Sequence, residues 1–376
     1  MIAPKLVSLD SATWARLAKD WKRDVNAKGV LEMLNSGALV PLFTWHHIEE
    51  LCQHANDTVY QARVSLIQSL RFVTFPKLPG EKANVGSLID LREAEIAALF
   101  QNKNLSFENL AKIVRAEISN GFCSGRDFCA ANDEWWDIYR NQFSRERQSF
   151  KATIASIAQF PAGNQKEALT RSKNLRLRTQ ADSRAQFDAM ARRLAEQIKR
   201  HGDQRLDNPD QVAAEFMRAA YSDGLAIYST LGEPFERLLK HFGVERTRLP
   251  KNATNEDVGY EAIFEKILEL HETALDLPRG SLRIAFRQEA IPSWIVWREV
   301  DRGMKSFPKT TASNITDKMI IPFGLYVDAL ESDKRVRDLV GRAAKKHSLL
   351  KIVNDRLLSR SNYTALLKQL EKVIEG

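Results

Sequence analysis

Lys5-Leu-Val-Ser-Leu-Asp10-Ser-Ala-Thr-Trp14 decides the fold: an apolar run of single-strand length ends on an aspartate, and a helical pattern starts at once. Ser11 or Thr13 is available as helix cap, and Trp14, Leu17 and Trp21 share one helical face. A strand that feeds directly into a helix is the opening of a parallel sheet. The next residues repeat the pattern. A helix is expected over about Val25–Leu34, stopped by Asn35-Ser36-Gly37, followed by a strand over Ala38–Phe43. Thr44 is then expected to cap a helix carrying Ile48 and Leu51, and a helix over Asp57–Leu70 precedes a short strand over Arg71–Phe75, closed by Pro76.

From Val85 to about Val300 the apolar residues keep a 3.6-residue period, with segments 87–100, 106–119, 132–160, 182–200, 209–230, 233–242, 256–275 and 292–301. Strand signals return late, at Leu325–Leu330 and Leu349–Val353, with helices over Val336–Lys346 and Tyr363–Ile374. The expected fold class is α/β, with a discontinuous domain formed by 1–84 and 305–376 around a large all-α insertion, 85–304.

The chain has 376 residues, 44% hydrophobic and 28% charged, which is enough apolar material for a substantial core and excludes disordered and fibrous classes. Cys52, Cys123 and Cys129 form no Cys-x-x-Cys pair, so neither a disulfide framework nor a zinc knuckle is expected, and a reducing cytoplasmic setting fits. No secretory leader is read at the start, and the uncharged run Met319–Val327 is too short to span a membrane. The net charge of +8 arises mainly in segment 140–206, where 15 basic residues face six acids. Such a concentration attracts polyanions, and Arg171, Lys173, Arg176, Arg178, Arg192, Arg193, Lys199 and Arg200 are the expected nucleic-acid contacts. A solvated helical face is the plainer explanation for any one of these charges.

Ligands of open parallel sheets bind beyond the carboxyl ends of the strands. Asp10 occupies such a position, Glu50 follows on the helix after the second strand, and Asp317, Asp328 and Asp333 cluster late in the chain. Carboxylates brought within a few ångströms repel one another unless a divalent cation offsets the charge, and oxygen-only donors select Mg²⁺ or Mn²⁺. Each acid taken alone is more simply a helix cap or a surface residue.

In this order the acids resemble the motifs of the PIN-like nuclease family. Leu6-Val-Ser-Leu-Asp10-Ser-Ala-Thr looks like its opening strand with a terminal aspartate and a following hydroxyl residue. Thr44-Trp-His-His-Ile-Glu-Glu50-Leu looks like its second motif, and Asn314-Ile-Thr-Asp317 through Asp333-Lys-Arg335 looks like its closing acidic pair. The resemblance covers roughly 1–80 and 310–376. It implies a three-layer α/β/α domain that hydrolyses RNA, less often DNA, with Asp10, Glu50, Asp317 and Asp333 as catalytic ligands of Mg²⁺ or Mn²⁺. Asp328 stays an alternative to Asp333 as the final ligand. Ser11 or Thr44 would position water or phosphate, and Lys334 and Arg335 would neutralise charge on the scissile phosphate. Many PIN-like proteins are toxins or phage-defence effectors controlled by a second module or an antidote protein, a part the helical insertion would suit.

Other signals are weaker. His47, Glu50 and His54 have the wrong spacing for a zinc helix motif, and Arg342-x4-His347 matches a HEPN-like pattern only by its short form. The pairs Trp135–Trp136 and Trp294–Trp297 suit a core better than base stacking. Walker, Rossmann and serine-hydrolase signatures are absent. The rival reading is a non-catalytic protein whose degenerate α/β domain supports a helical module for nucleic acid or a partner.

Overall fold

A computed structural model describes residues 4–52, 54, 56–76, 85–119, 122–132, 136, 140, 153, 180–202, 206, 208–229, 234–307 and 311–376. Four strands are present among these residues: β1 Lys5–Ser8, β2 Leu39–Pro41, β3 Ala329–Ser332 and β4 Leu357–Ser359. The helices of the first third are α1 Ser11–Asp20, α2 Val25–Asn35, α3 Trp45–Cys52, α4 Asp57–Gln68, α5 Leu88–Gln101, α6 Phe107–Ile118 and α7 Gly125–Ala131. The middle carries α8 Gln180–His201, α9 Pro209–Ser229, α10 Pro234–Phe242, α11 Asn255–Ala274 and α12 Ser281–Ala285. The chain closes with α13 Pro292–Met304, α14 Ala312–Ile320, α15 Lys334–Ala344, α16 Ser348–Asp355 and α17 Tyr363–Glu375.

The sheet is parallel throughout and ordered β2-β1-β3-β4, with Leu6 opposite Val40, Val7 opposite Ala329 and Leu330 opposite Leu357. Its central strand β1 thus joins the beginning of the chain to its end. Leu6, Val7 and Leu9 are buried, as expected of a strand covered on both faces. Trp14 packs its ring 4.8 Å from that of Phe43, and Phe43 lies 5.9 Å from Phe128, so α1, α7 and the end of β2 share one core. At Gly125, which begins α7, a Cβ would stand 1.8 Å from the Ile67 carbonyl oxygen; only glycine permits this approach to α4.

Three local expectations are corrected. Arg71–Phe75 makes isolated bridges only, Thr74 to Leu42 and Val73 to Cys123, because Pro76 ends the run. Residues Ile321–Leu325 form a 3₁₀ turn with Pro322 near its start, so the late strand begins at Ala329, not Leu325. The run Leu349–Val353 is helical: Leu350 and Val353, three apart, are its buried residues, and the strand follows at Leu357. A short apolar run fits a buried strand or a buried helix equally well by pattern. The helix expected over 132–160 lies almost entirely outside the described residues.

The chain divides into two compact units. One comprises Met1–Gln148, Ile291–Met304 and Ile315–Gly376, and the other Ser149–Ala290 with Lys305–Asn314. These limits differ from a break at 85 and 304, because α5, α6, α7 and α13 pack into the α/β unit. Buried Glu95 of α5 explains part of this: it accepts the N–H of Ser293 at 3.0 Å, the Ser293 hydroxyl at 2.6 Å and the Tyr326 hydroxyl. Beside it, buried Arg92 lies over the rings of Trp294 and Trp297, which makes that tryptophan pair a core feature. In the second unit Leu194, Ile198, Ala213 and Met217 join α8 to α9. There Arg248 is buried between Glu261 and Glu265, its remaining donors satisfied by the carbonyls of Arg283 and Phe286. No helix among the described residues is long and apolar enough to cross a membrane.

Candidate active site

Asp10 follows β1 by two residues and caps α1, its Oδ1 accepting the Ala12 N–H at 2.7 Å. The cap is therefore Asp10 itself, not Ser11 or Thr13. Asp333 does the same beyond β3, accepting the Val336 N–H at 2.8 Å at the start of α15. Parallel pairing of β1 with β3 sets these two caps at the same edge of the sheet. Glu50 is in the second turn of α3, and Asp317 stands in the middle of α14.

Electrostatics ties the four together. The half-buried carboxyl of Asp317 is pushed well above the usual carboxylate range, first by burial and then by the charges of Asp10, Asp333 and Glu50, with Arg360 opposing. Arg360 also stands 3.3 Å from Asp10 Oδ2. Arg360 thus acts on both Asp317 and Asp10, while Glu50 also lies in the field of Arg63.

Asp328 does not join them. It precedes β3, at the opposite, amino-terminal edge, where its Oδ2 accepts the Leu6 N–H at 2.7 Å. Arg115 of α6 grips both its oxygens, one at 3.0 Å and the other in closer contact. Its charge is paired with Arg115, and of the two acids only Asp333 lies at the sheet edge that carries Asp10.

Among the expected positioning groups, Ser11 is buried with its Oγ free of hydrogen-bond partners among the described residues. Thr44 is corrected: its side chain is fully buried and its hydroxyl lies 2.9 Å from His47 Nδ1, leaving it no access to water or substrate. Lys334 and Arg335 are exposed on the first turn of α15, next to Asp333.

Two residues that support the site were not recognised from the sequence. Glu331, buried on β3, accepts the Asp10 N–H at 3.1 Å and the Thr13 hydroxyl at 2.9 Å, and burial followed by the Asp10 charge raises its carboxyl to about 7. His47 accepts the Thr44 N–H at 3.1 Å, and its Nε2 lies 3.4 Å from Ser8 Oγ. Burial lowers this imidazole to about 3, with the charge of His46 adding to the effect, so the ring stays neutral. A glutamate inside a wholly buried strand, Ala329-Leu-Glu-Ser332, is what marks the first. Nothing in the pattern separated His47 from its neighbours His46 and His54.

The fit to a cation is chemical more than geometric. An all-carboxylate donor set with surplus negative charge suits a hard divalent ion, yet among the described residues no group of three or more His, Cys, Asp or Glu side chains is set to hold a metal.

The basic segment is placed in part. Arg171, Lys173, Arg176 and Arg178 lie outside the described residues. On α8, Arg192 and Arg193 are exposed and line a cavity of about 620 Å³ with Arg200 and His201. Lys199 is paired with Asp210 at 3.0 Å and Glu196 at 3.5 Å, and Arg200 reaches Glu196 at 3.9 Å, so part of this charge is neutralised locally. His347, of the Arg-x4-His pattern, stands 3.6 Å from Glu299. Comparison of the chain with protein-family models, curated proteins and solved structures returns no match.

Proposed function

We propose that the protein is a metal-dependent endonuclease with a PIN-like α/β/α domain, acting on the phosphodiester bonds of RNA in preference to DNA. The observation that carries this reading is the shared field at Asp317, whose carboxyl is pushed well above the usual carboxylate range by burial and then by the charges of Asp10, Asp333 and Glu50. Mg²⁺ or Mn²⁺ would be held by Asp10, Glu50, Asp317 and Asp333. When bound, the ion supplies a water of lowered pKa and a counter-charge for phosphate oxygens.

The chain's own residues do the rest. Glu331 and the α1 N-terminus fix the backbone and carboxylate of Asp10. His47 joins the first turn of α3, and with it Glu50, to the strand that leads to Asp10. Arg360 is placed to oppose charge that builds on a phosphate bound beside Asp10.

The test is nicking of a structured RNA with Mn²⁺ present and absent, for the wild-type chain and Asp10→Asn. The expected result is Mn²⁺-dependent cleavage that the variant loses by two orders of magnitude or more, about 3 kcal/mol of transition-state stabilisation. Equal cleavage by both proteins removes the reading and leaves the rival one, a non-catalytic module that binds nucleic acid or a partner.

A further inference from the structure

A second concentration of positive charge lies within the α/β unit itself, masked in the overall composition by acids elsewhere. Between 334 and 360 nine Lys or Arg residues face two acids, Asp338 and Asp355. On α15 the buried residues are Val336, Leu339 and Val340, so the helix turns Lys334, Arg335, Asp338, Arg342 and Lys345 outward. Arg337, Asp338, Gly341, Arg342, Lys345 and Asn354 line a cavity of about 530 Å³ between α15 and the end of α16.

We propose that this face binds the phosphodiester backbone of a single-stranded nucleic acid, with a phosphate seated among Arg337, Arg342 and Lys345. It extends the nuclease reading by giving the substrate strand a path, and its binding is separable from cleavage.

The unspent charge is what distinguishes this surface from an ordinary solvated helix. Elsewhere Lys199 is paired with Glu196 and Lys266 with Glu269 along their own helices. Arg337, Arg342 and Lys345 have no side-chain ion pair or hydrogen bond among the described residues, and the Arg337 Nε is buried without a partner. Three guanidinium or ammonium groups around one concavity, with a single acid, form an anion site of phosphate type. The Asn354 amide adds a neutral donor, and Gly341 keeps the floor open: a Cβ there would stand 3.3 Å from Asn354 Oδ1.

Position adds direction. The helix rises ~1.5 Å per residue, which sets Arg342 roughly 13 Å along the axis from Asp333, with Lys334 and Arg335 at the end nearer the acids. A strand lying on this face therefore approaches the carboxylates with successive phosphates met by cations. Membrane docking is disfavoured, because the large exposed apolar side chains, among them Val25, Phe122 and Ile284, all lie outside 334–360.

The experiment measures fluorescence anisotropy of a labelled 20-nucleotide single-stranded RNA, and of DNA of the same sequence, with the full chain in EDTA from 50 to 300 mM KCl. Arg342→Glu/Lys345→Glu should weaken binding at least about 10-fold and lower the salt slope by more than one, since each phosphate contact on a single strand contributes about 0.7. Arg342→Gln/Lys345→Gln, with an unchanged melting temperature, should show a smaller change in the same direction and guards against misfolding of the reversed variant. Equal losses on RNA and DNA place recognition in the shared phosphates, and a larger loss on RNA adds contacts to the ribose; both support the proposal. Unchanged affinity and slope overturn it, as does loss of binding to phosphatidylserine vesicles with nucleic-acid binding intact. If Asp10→Asn cleaves like the wild type while the charge-reversed variant still loses binding, the nuclease reading fails and this surface stands.

Discussion

His47 Nδ1 stands 3.1 Å from the backbone nitrogen of Thr44, and the opposite ring nitrogen lies 3.4 Å from Ser8 Oγ, so one neutral imidazole spans the gap between the first helix turn of α3 and β1. Because Nδ1 accepts the Thr44 N–H, the proton belongs on Nε2. Protonating Nδ1 would break the link between the start of α3 and β1.

A pH dependence of stability follows. The imidazole titrates near 6.5 when unfolded and near 3 when folded, so between these values the unfolded chain binds the extra proton. Stability contributed by His47 is complete above pH 6.5 and is lost as pH falls, by about 2 kcal/mol between pH 6.5 and 5. In His47→Asn, whose Oδ1 takes over the bond to the Thr44 N–H, this slope should vanish. Guanidinium unfolding at pH 5, 6, 7 and 8 measures it, and parallel curves for the two proteins would contradict the assignment.

Glu95 gives a dependence of opposite sign. Burial raises its carboxyl from 4.5 to about 7, against the stabilising bonds from Ser293 and Tyr326. The folded chain holds the proton longer, so this group's contribution is complete below pH 4.5 and declines as pH rises to 7, by roughly 3 kcal/mol. Glu95→Gln should remove that decline. Glu95→Ala should cost about 3 kcal/mol or more, because Ser293, Tyr326 and buried Arg92 lose a common partner.

Two glycines test the packing with opposite outcomes. Gly125→Ala drives a Cβ into the Ile67 carbonyl, which cannot swing aside as a side chain would, and the melting temperature should fall by several degrees or more. Gly259→Ala, inside α11 with nothing within 4 Å, should instead stabilise the fold by about 0.5–1 kcal/mol through helix propensity. Thermal melts followed by circular dichroism decide both.

The strand-to-helix junction at Asp10 was legible because a strand end, a cap and an amphipathic helix coincide within ten residues. That both chain ends contribute to one α/β domain was legible because strand and helix signals alternate at the start and again late in the chain, although the aspartate caps of α1 and α15 were not read. What escaped was long-range. Asp328 and Asp333 have similar neighbours in sequence, and only the paired strands reveal that they lie at opposite edges, with Arg115 waiting at one of them. Thr44 looked like a free hydroxyl because its partner, His47, sits one helical turn along and carries no distinguishing pattern. Leu349–Val353 was misread since five apolar-rich residues fit two periods, and the packing of Leu350 and Val353 chooses between them. The wide helical segment hid its own division, because α5 and α13 are tied to the α/β unit by Glu95, Ser293 and Arg92, which stand about 200 positions apart and share no motif.

Asp317 sets function against stability most directly. Its carboxyl is crowded by Asp10, Asp333 and Glu50, so in metal-free buffer its charge opposes folding. Asp317→Asn removes the charge at nearly constant shape and should raise the melting temperature in EDTA, in the manner of a residue retained at a site for chemistry at the expense of the fold. The same variant should lose Mn²⁺-dependent nicking. Added Mn²⁺ supplies the discriminating measurement. An ion that binds only the folded chain stabilises by RT ln(1 + [L]/Kd), about 3 kcal/mol at 100 times Kd, so the wild-type melting temperature should climb with Mn²⁺ while that of Asp317→Asn stays nearly flat. The order of the two proteins should therefore invert between EDTA and millimolar Mn²⁺. A wild-type curve indifferent to Mn²⁺, together with an Asn variant no more stable in EDTA, would mean that these carboxylates neither repel one another nor share an ion.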